Sequence, residues 1–197
     1  ITEKEVILGS MVSFETLTKS EALTQLWDGV LSEAARLSGT GALRNLASVG
    51  GILLNPNYPA EVTLMFLAMD AKVVLMNGNG DEKTVSIEAF LQDGKPELPK
   101  GSLIKEVILP LSGNAHYVLD RVSRTKSDAS IVSVVVKADF SNNQAEQLRI
   151  AIFGASSAPK RFHVAEGELS KGTLSGDVIE AAAENVMKTA EPVGDYR

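Results

Sequence analysis

Two periods of apolar and polar positions succeed one another along the chain. Residues 4–9, Lys-Glu-Val-Ile-Leu-Gly, read as a short strand that stops at Gly9. From Ser20 the spacing changes. Leu23, Leu26, Trp27, Val30, Leu31, Ala34 and Leu37 recur at three and four residues, which puts them on one face of a helix. Ser20 suits its N-cap and Gly39 its stop. Residues 39–58 lose the period and gather Gly39, Gly41, Gly50, Gly51, Asn55, Pro56 and Asn57, so turns are expected there. Pro59 stands where a helix tolerates it, in the first turn, and residues 62–69 continue as a buried helix. A strand follows over 72–76. Asn77-Gly78-Asn79-Gly80 is a hairpin-type turn, and 86–91 form a short helix.

Gly94, Pro96, Pro99 and Gly101 mark a connector, and a boundary is expected near residue 100. The second half is richer in strands, read at 103–109, 117–123, 131–140 and 148–153. Ser141-Asn142-Asn143 serves as the turn before the last of them. Two helices close the chain, over 161–169 and over 177–188, the latter capped by Ser175. The fold class is therefore α+β in two pieces, residues 1–100 and 101–197. The second piece is an antiparallel sheet of three or four strands with helices packed on one face.

Composition narrows the possible chemistry. Of 197 residues, 44% are hydrophobic and 22% charged, ordinary values for a packed core. A net charge of -6 supplies no basic field to gather phosphates, so nucleic acid is not an expected partner. The chain has no cysteine, hence no thiolates for an iron–sulfur cluster, a disulfide or a zinc site of its own. No apolar run is long enough to span a bilayer, and no signal peptide is visible at the start. A cytoplasmic location is expected. The chain begins with Ile1 in place of Met, which suggests processing or truncation.

The stretch that can carry chemistry is Ser48-Val49-Gly50-Gly51, followed by Leu54, Asn55 and, at the next helix start, Glu61. Adjacent glycines let a backbone approach a ligand closely and expose its N–H groups. A serine hydroxyl and a helix N-terminus add donors. Such a set suits a pyrophosphate or a ribityl chain, although paired glycines are more often simple turn or packing residues. Elsewhere the plain reading holds. His116 and His163 have no acidic or hydroxyl partner at motif spacing and are expected to be partly buried or surface histidines. Trp27 lies on the apolar face of its helix and is expected in the core. Nothing in the sequence stands out as a nucleophile, general base or metal site.

Seven segments, in order, resemble one family. Arg44-Asn45-Leu46-Ala47-Ser48-Val49-Gly50-Gly51 is similar to the R-N-x-x-S/T-I/V-G-G segment of molybdopterin dehydrogenase flavin domains. Glu61 through Leu67-Ala68-Met69-Asp70-Ala71 resembles the family's acidic residue and L-A-L-D-A helix end. Ser86-Ile87-Glu88-Ala89-Phe90 resembles its short helix, and residues 103–110 resemble its strand ending in proline. Ser123-Arg124 with Asp128-Ala129 resembles S-R-R-x-x-D-x-A. Arg149-Ile150-Ala151 with Ala158-Pro159-Lys160-Arg161 resembles R-I-A and A-P-x-R, and Pro192, Asp195 and Arg197 resemble P-x-x-D-x-R.

The resemblance implies the second lobe of a flavin-binding domain followed by a C-terminal antiparallel sheet with packed helices. It implies FAD, held by Ser48, Gly50, Gly51, Leu54, Asn55, Glu61 and Ile104. Ser48 and the glycine amides would serve the cofactor's polar chain, Glu61 one of its hydroxyls, and Ile104 its ring system. Iron–sulfur clusters and molybdopterin are expected on partner subunits, and the family's glycine-rich N-terminal lobe is expected on another chain or cut away. The implied function is the flavoprotein, electron-transferring component of a molybdenum hydroxylase of the xanthine and carbon monoxide dehydrogenase type. Ile52 stands where the family commonly has Asn, Glu61 where it has Asp, and Asp120 where it often has Lys, with Arg121 adjacent. These departures, with the absent lobe, support an alternative. In that reading the chain is a structural subunit without flavin that docks the iron–sulfur and molybdenum subunits.

Overall fold

The structure, a computed structural model, describes residues 1–55, 61–92, 96–111, 114–125, 128–141, 144–170 and 174–194. Two four-stranded antiparallel sheets organise it. The first contains β1 (Glu5–Gly9), β2 (Lys72–Met76), β3 (Glu82–Ser86) and β4 (Leu103–Pro110), in the order β1-β4-β2-β3. The second contains β5 (Ala115–Val122), β6 (Val132–Ser141), β7 (Gln144–Phe153) and β8 (Lys160–Arg161), in chain order. The helices are α1 (Phe14–Lys19), α2 (Glu21–Thr24), α3 (Val30–Leu37), α4 (Gly41–Leu46), α5 (Val49–Leu53), α6 (Glu61–Ala68), α7 (Ile87–Phe90), α8 (His163–Leu169) and α9 (Gly176–Thr189). The α+β expectation is borne out.

Three expectations are corrected. The helix read from Ser20 to Leu37 is broken in the middle. Trp27, Asp28 and Gly29 adopt φ of 51°, 57° and 74° between α2 and α3. The break sends the Trp27 ring into the core, where the residue is 7% exposed as expected. It also turns Asp28 toward the second sheet, where its Oδ2 accepts from the Tyr117 N–H at 3.1 Å. Residues 39–58 hold two short helices, α4 and α5, each capped by a side chain, Thr40 and Ser48. Finally, β4 lies beyond the boundary expected near residue 100 yet pairs with β1 and β2. The two sheets divide between Pro110 and Ala115.

The hairpin turn is where the sequence places it: Asn77 Oδ1 accepts from the Asn79 and Asp81 amides at 2.9 and 3.0 Å. Ser86 and Ser175 cap α7 and α9. The turn residues Asn142 and Asn143, the helix-entry Pro59, and the closing Asp195 and Arg197 lie outside the described residues.

The centre of the molecule is α6. Every residue from Glu61 to Ala68 is buried, which explains why its sequence is apolar all round rather than striped. One side meets α3 and α7, and the other lies against β6 and β7. A shared core runs through it, from Val6, Phe14, Leu31 and Val107 to Val135, Ala151 and Phe153. The second sheet thus has a helix from the first half on its inner face, while α8 and α9 build a smaller core on its outer face with Ile150, Phe162 and Leu169.

Candidate functional site

The site is built around α5, which main-chain bonds hold firmly. Val49 N–H donates to Val12 O at 3.0 Å, Gly50 N–H to Ser10 O at 2.8 Å, and Ser10 N–H to Lys105 O at 2.9 Å. The helix is therefore laced to the end of β1 and, through Ser10, to β4. Ser48 caps it, its Oγ accepting from the Gly51 N–H at 3.2 Å.

These bonds correct one expectation. The amides of Gly50 and Gly51 are occupied inside the protein and do not point at a ligand. The two glycines have separate reasons to be there. A Cβ on Gly50 would stand 2.7 Å from Ser10 Cβ, so this residue permits close packing of α5 on the chain after β1. Gly51 is exposed, and a Cβ there would meet only Ser48 Oγ, at 3.0 Å. Its backbone lies bare on the outer surface.

The helical period then sorts the segment. Val49, Gly50, Ile52 and Leu53 face inward and are buried. Ser48, Gly51, Leu54 and Asn55 fall on the outward side; Gly51, Leu54 and Asn55 are exposed and Ser48 is half-buried. This side offers a hydroxyl, a bare backbone, an apolar side chain and an amide in one row. Ile52, 8% exposed, belongs to the core and does not cover that row. The arrangement fits a ligand that lies flat along α5 with polar groups at both ends.

Glu61 and Ile104 are placed differently from Ser48. Ile104 is 5% exposed and packs in the core, while its neighbour Leu103 is exposed. Glu61, at the start of α6, is 1% exposed. Its Oε1 accepts from Ser133 Oγ at 3.0 Å and lies 3.5 Å from Arg121 Nη1. Arg121 also donates to the main-chain carbonyls of Leu37, at 3.3 Å, and Asp128. Its Nε is buried without a partner. Asp120 points the other way, to solvent, so the cation beside Glu61 is supplied by Arg121. Ser133 was not foreseen; its only trace in the sequence is a hydroxyl within the apolar run Ile131-Val132-Ser133-Val134-Val135-Val136.

Other segments that resemble the family make ion pairs and hydrogen bonds within the chain. Arg44 donates to Gly39 O at 2.8 Å and Arg36 O at 3.3 Å, and Nε donates to Glu15 Oε2 at 2.8 Å. It ties the C-terminal end of α3 to α1 and α4, and this guanidinium, with Lys19, holds the Glu15 carboxyl below its ordinary range. Asp70, Arg149 and Arg161 meet at the far end of α6, joined there by Glu166, Glu88 and His163. His163 is a half-exposed bridge between Glu88 and Glu166, and His116 lies 3.5 Å from Asp28. Among the described residues no cluster of three or more His, Cys, Asp or Glu could hold a metal ion. No described helix is long and apolar enough to cross a membrane.

Two four-stranded antiparallel sheets, with a tightly packed glycine helix on the first and a buried helix keyed into the second, define the class as an α+β protein. The chain belongs to the family described as "FAD binding domain in molybdopterin dehydrogenase", which matches residues 1–112. Residues 117–197 match the "CO dehydrogenase flavoprotein C-terminal domain". The seven-segment resemblance is thereby borne out.

Relatives include the 6-hydroxypseudooxynicotine dehydrogenase complex subunit alpha of Paenarthrobacter nicotinovorans, 29% identical over 98% of this chain and 65% of that one. The xanthine dehydrogenase FAD-binding subunit of Escherichia coli O157:H7 is 26% identical over 96% of this chain and 66% of that one. In fold, the chain superposes on a carbon monoxide dehydrogenase structure from Hydrogenophaga pseudoflava with a TM-score of 0.91, at 22% identity, covering 99% of this chain and 68% of that one. The chain spans 60% of another relative, the glyceraldehyde dehydrogenase medium chain of Sulfolobus acidocaldarius.

Proposed function

We propose that this chain forms one wall of an FAD site in a molybdenum hydroxylase and serves as the component that carries electrons from iron–sulfur clusters to an acceptor. The clusters and the molybdopterin would reside on partner subunits. The observation that carries the reading is the outward row of α5. Ser48, Gly51, Leu54 and Asn55 present a hydroxyl, a bare backbone and an amide at a surface that the neighbouring Ile52 leaves open. The flavin, when bound, supplies the redox chemistry. The chain's own residues would position it: the Ser48 hydroxyl retains its proton to donate, and Gly51 allows close approach. Glu61 and Arg121 would fix the start of α6 against the second sheet.

The structural-subunit alternative drew on Ile52, Glu61 and Asp120. Ile52 packs in the core, and Asp120 faces solvent with Arg121 in its stead. Of these three residues, the inward-turned Glu61 still speaks for it.

Gly51→Val tests the proposal. Gly51 is helical and has no positive φ, so the backbone accepts a side chain and Ser48 Oγ can rotate aside. The variant is expected to fold with about 1 kcal/mol lost, the worth of the Ser48 cap, while the yellow FAD spectrum of the assembled enzyme disappears. Normal flavin content in Gly51→Val would remove α5 from the site.

A further inference from the structure

The outer face of the second sheet is divided. Over β7 and the adjoining half of β6 it is covered by α8 and α9. Over β5 and the rest of β6 no described residue covers it. Val118 and Val122 are 63% and 62% exposed, and Val132 and Phe140 are 37% and 45% exposed. The register sets Val122 opposite Val132 and Val118 opposite Val136, so these residues form one strip. Beneath them, the inner face of the same two strands carries Arg121 and Ser133 to Glu61 of α6, beside the core residues Tyr117 and Val135. Antiparallel sheets with one wet face put apolar residues inward and polar ones outward. Here valines face water, while Arg121 on the same strand faces inward. A contiguous apolar strip of this kind marks an interaction surface. Moreover, β5 ends the sheet order, and its sequence, AHYVLDRV, has neither the lysine nor the proline that commonly protects a free edge.

We propose that this strip docks another protein subunit, one that presents an apolar surface flanked by basic side chains. Charge sets the chemistry of the partner. Asp120 stands exposed in the strip between Val118 and Val122. Where the strip ends, at His116 and Phe140, a groove of about 580 Å³ opens with Glu3 and Asp28 in its wall and no lysine or arginine among its lining residues. A second copy of this chain would bring acid against acid across a two-fold axis, which disfavours self-association. The inference rests on the proposed function, because the other subunits of the assembly are the occupants it names.

The test uses the assembled holoenzyme with Val118→Glu/Val122→Glu and, separately, Asp120→Lys. Association of the flavoprotein with its partners is read by sedimentation at several salt concentrations, with circular dichroism and FAD content as controls. The double variant is expected to bind roughly 100-fold more weakly. Asp120→Lys is expected to bind about tenfold more weakly and with a shallower salt dependence. Both should keep their secondary structure and flavin. Wild-type affinity in the double variant, with normal assembly and flavin, overturns the docking face and leaves the proposed function intact. A homodimer of this chain that the double variant disrupts also overturns it. If the unaltered chain joins neither an iron–sulfur nor a molybdopterin subunit, the proposed function and this inference fall together.

Discussion

Arginines fasten both ends of α6 to the second sheet, and the two ends are built differently. At the N-terminal end Glu61 is 1% exposed, and the Arg121 side chain is 10% exposed. Among the described residues Arg121 has one anion within reach, and its Nε has no partner. At the C-terminal end Asp70, at φ 54°, accepts from Arg149 Nε at 2.8 Å and from Arg161 Nη1. Arg161 also grips Glu166 with two bonds, of 2.9 and 2.6 Å, and Glu166 accepts from the Ile150 N–H at 2.8 Å. Glu88 and His163 complete the set. One end rests on a single buried pair. The other spreads its charge over several ion pairs, partly exposed, whereas the further partners of Glu61 and Arg121 among the described residues are the Ser133 hydroxyl and the carbonyls of Leu37 and Asp128. The N-terminal end is therefore expected to tolerate the least change, and the far end to be the more redundant fastening.

The largest expected effect breaks the single pair. Glu61→Ala leaves the Arg121 guanidinium buried without an anion, and should cost about 3–5 kcal/mol in urea unfolding. Glu61→Leu combined with Arg121→Met removes both charges and should recover most of that loss, because the desolvation cost goes with them. At the other end Arg161→Ala leaves Asp70 with Arg149, and Glu166 with the Ile150 amide. Its expected cost is about 2 kcal/mol. Arg161→Lys keeps the charge without the planar fork and should lose about half as much. If Arg161→Ala proves costlier than Glu61→Ala, redundancy does not distinguish the two ends.

The sequence foretold these two ends unequally. The segments that supply Asp70, Arg149 and Arg161 were visible as motifs, yet nothing in their spacing says that they meet; that follows only from the pairing of β7 with β8 and the docking of α6. The strands β2 and β4 to β7 were legible because buried positions repeat along them. In contrast β3, Glu82–Ser86, was missed, since its pattern is exposed on both faces and carries no alternation. The break at Trp27 was invisible because the apolar spacing continues through it; what opens the helix is a contact to Tyr117, far away in sequence. In the candidate site, the twin glycines were read as allowing a ligand's close approach, but for Gly50 the approaching group is Ser10 of the same chain. Ser10 and Ser133 carry no local signal, because their roles are assigned by partners on other strands.

The smallest effect concerns protons at the network end. Burial alone would raise the Glu166 carboxyl, but the Arg161 guanidinium and the Ile150 amide outweigh it and hold the group below its ordinary value of 4.5. In the unfolded chain that restraint is gone. Between the two values the unfolded state binds more protons than the folded one, so stability rises with pH across this window. The contribution of Glu166 is therefore fully present above about pH 4.5 and is lost as pH falls through the lowered folded-state value. Glu166→Gln isolates that share from the other carboxylates: the stability difference between wild type and variant should be largest at neutral pH and shrink on acidification below the ordinary carboxylate range. A difference that stays constant from neutral pH into that acid range would mean that Arg161 and the Ile150 amide favour the protonated carboxyl as much as the carboxylate. The network would then hold α6 through its hydrogen bonds and not through its charge.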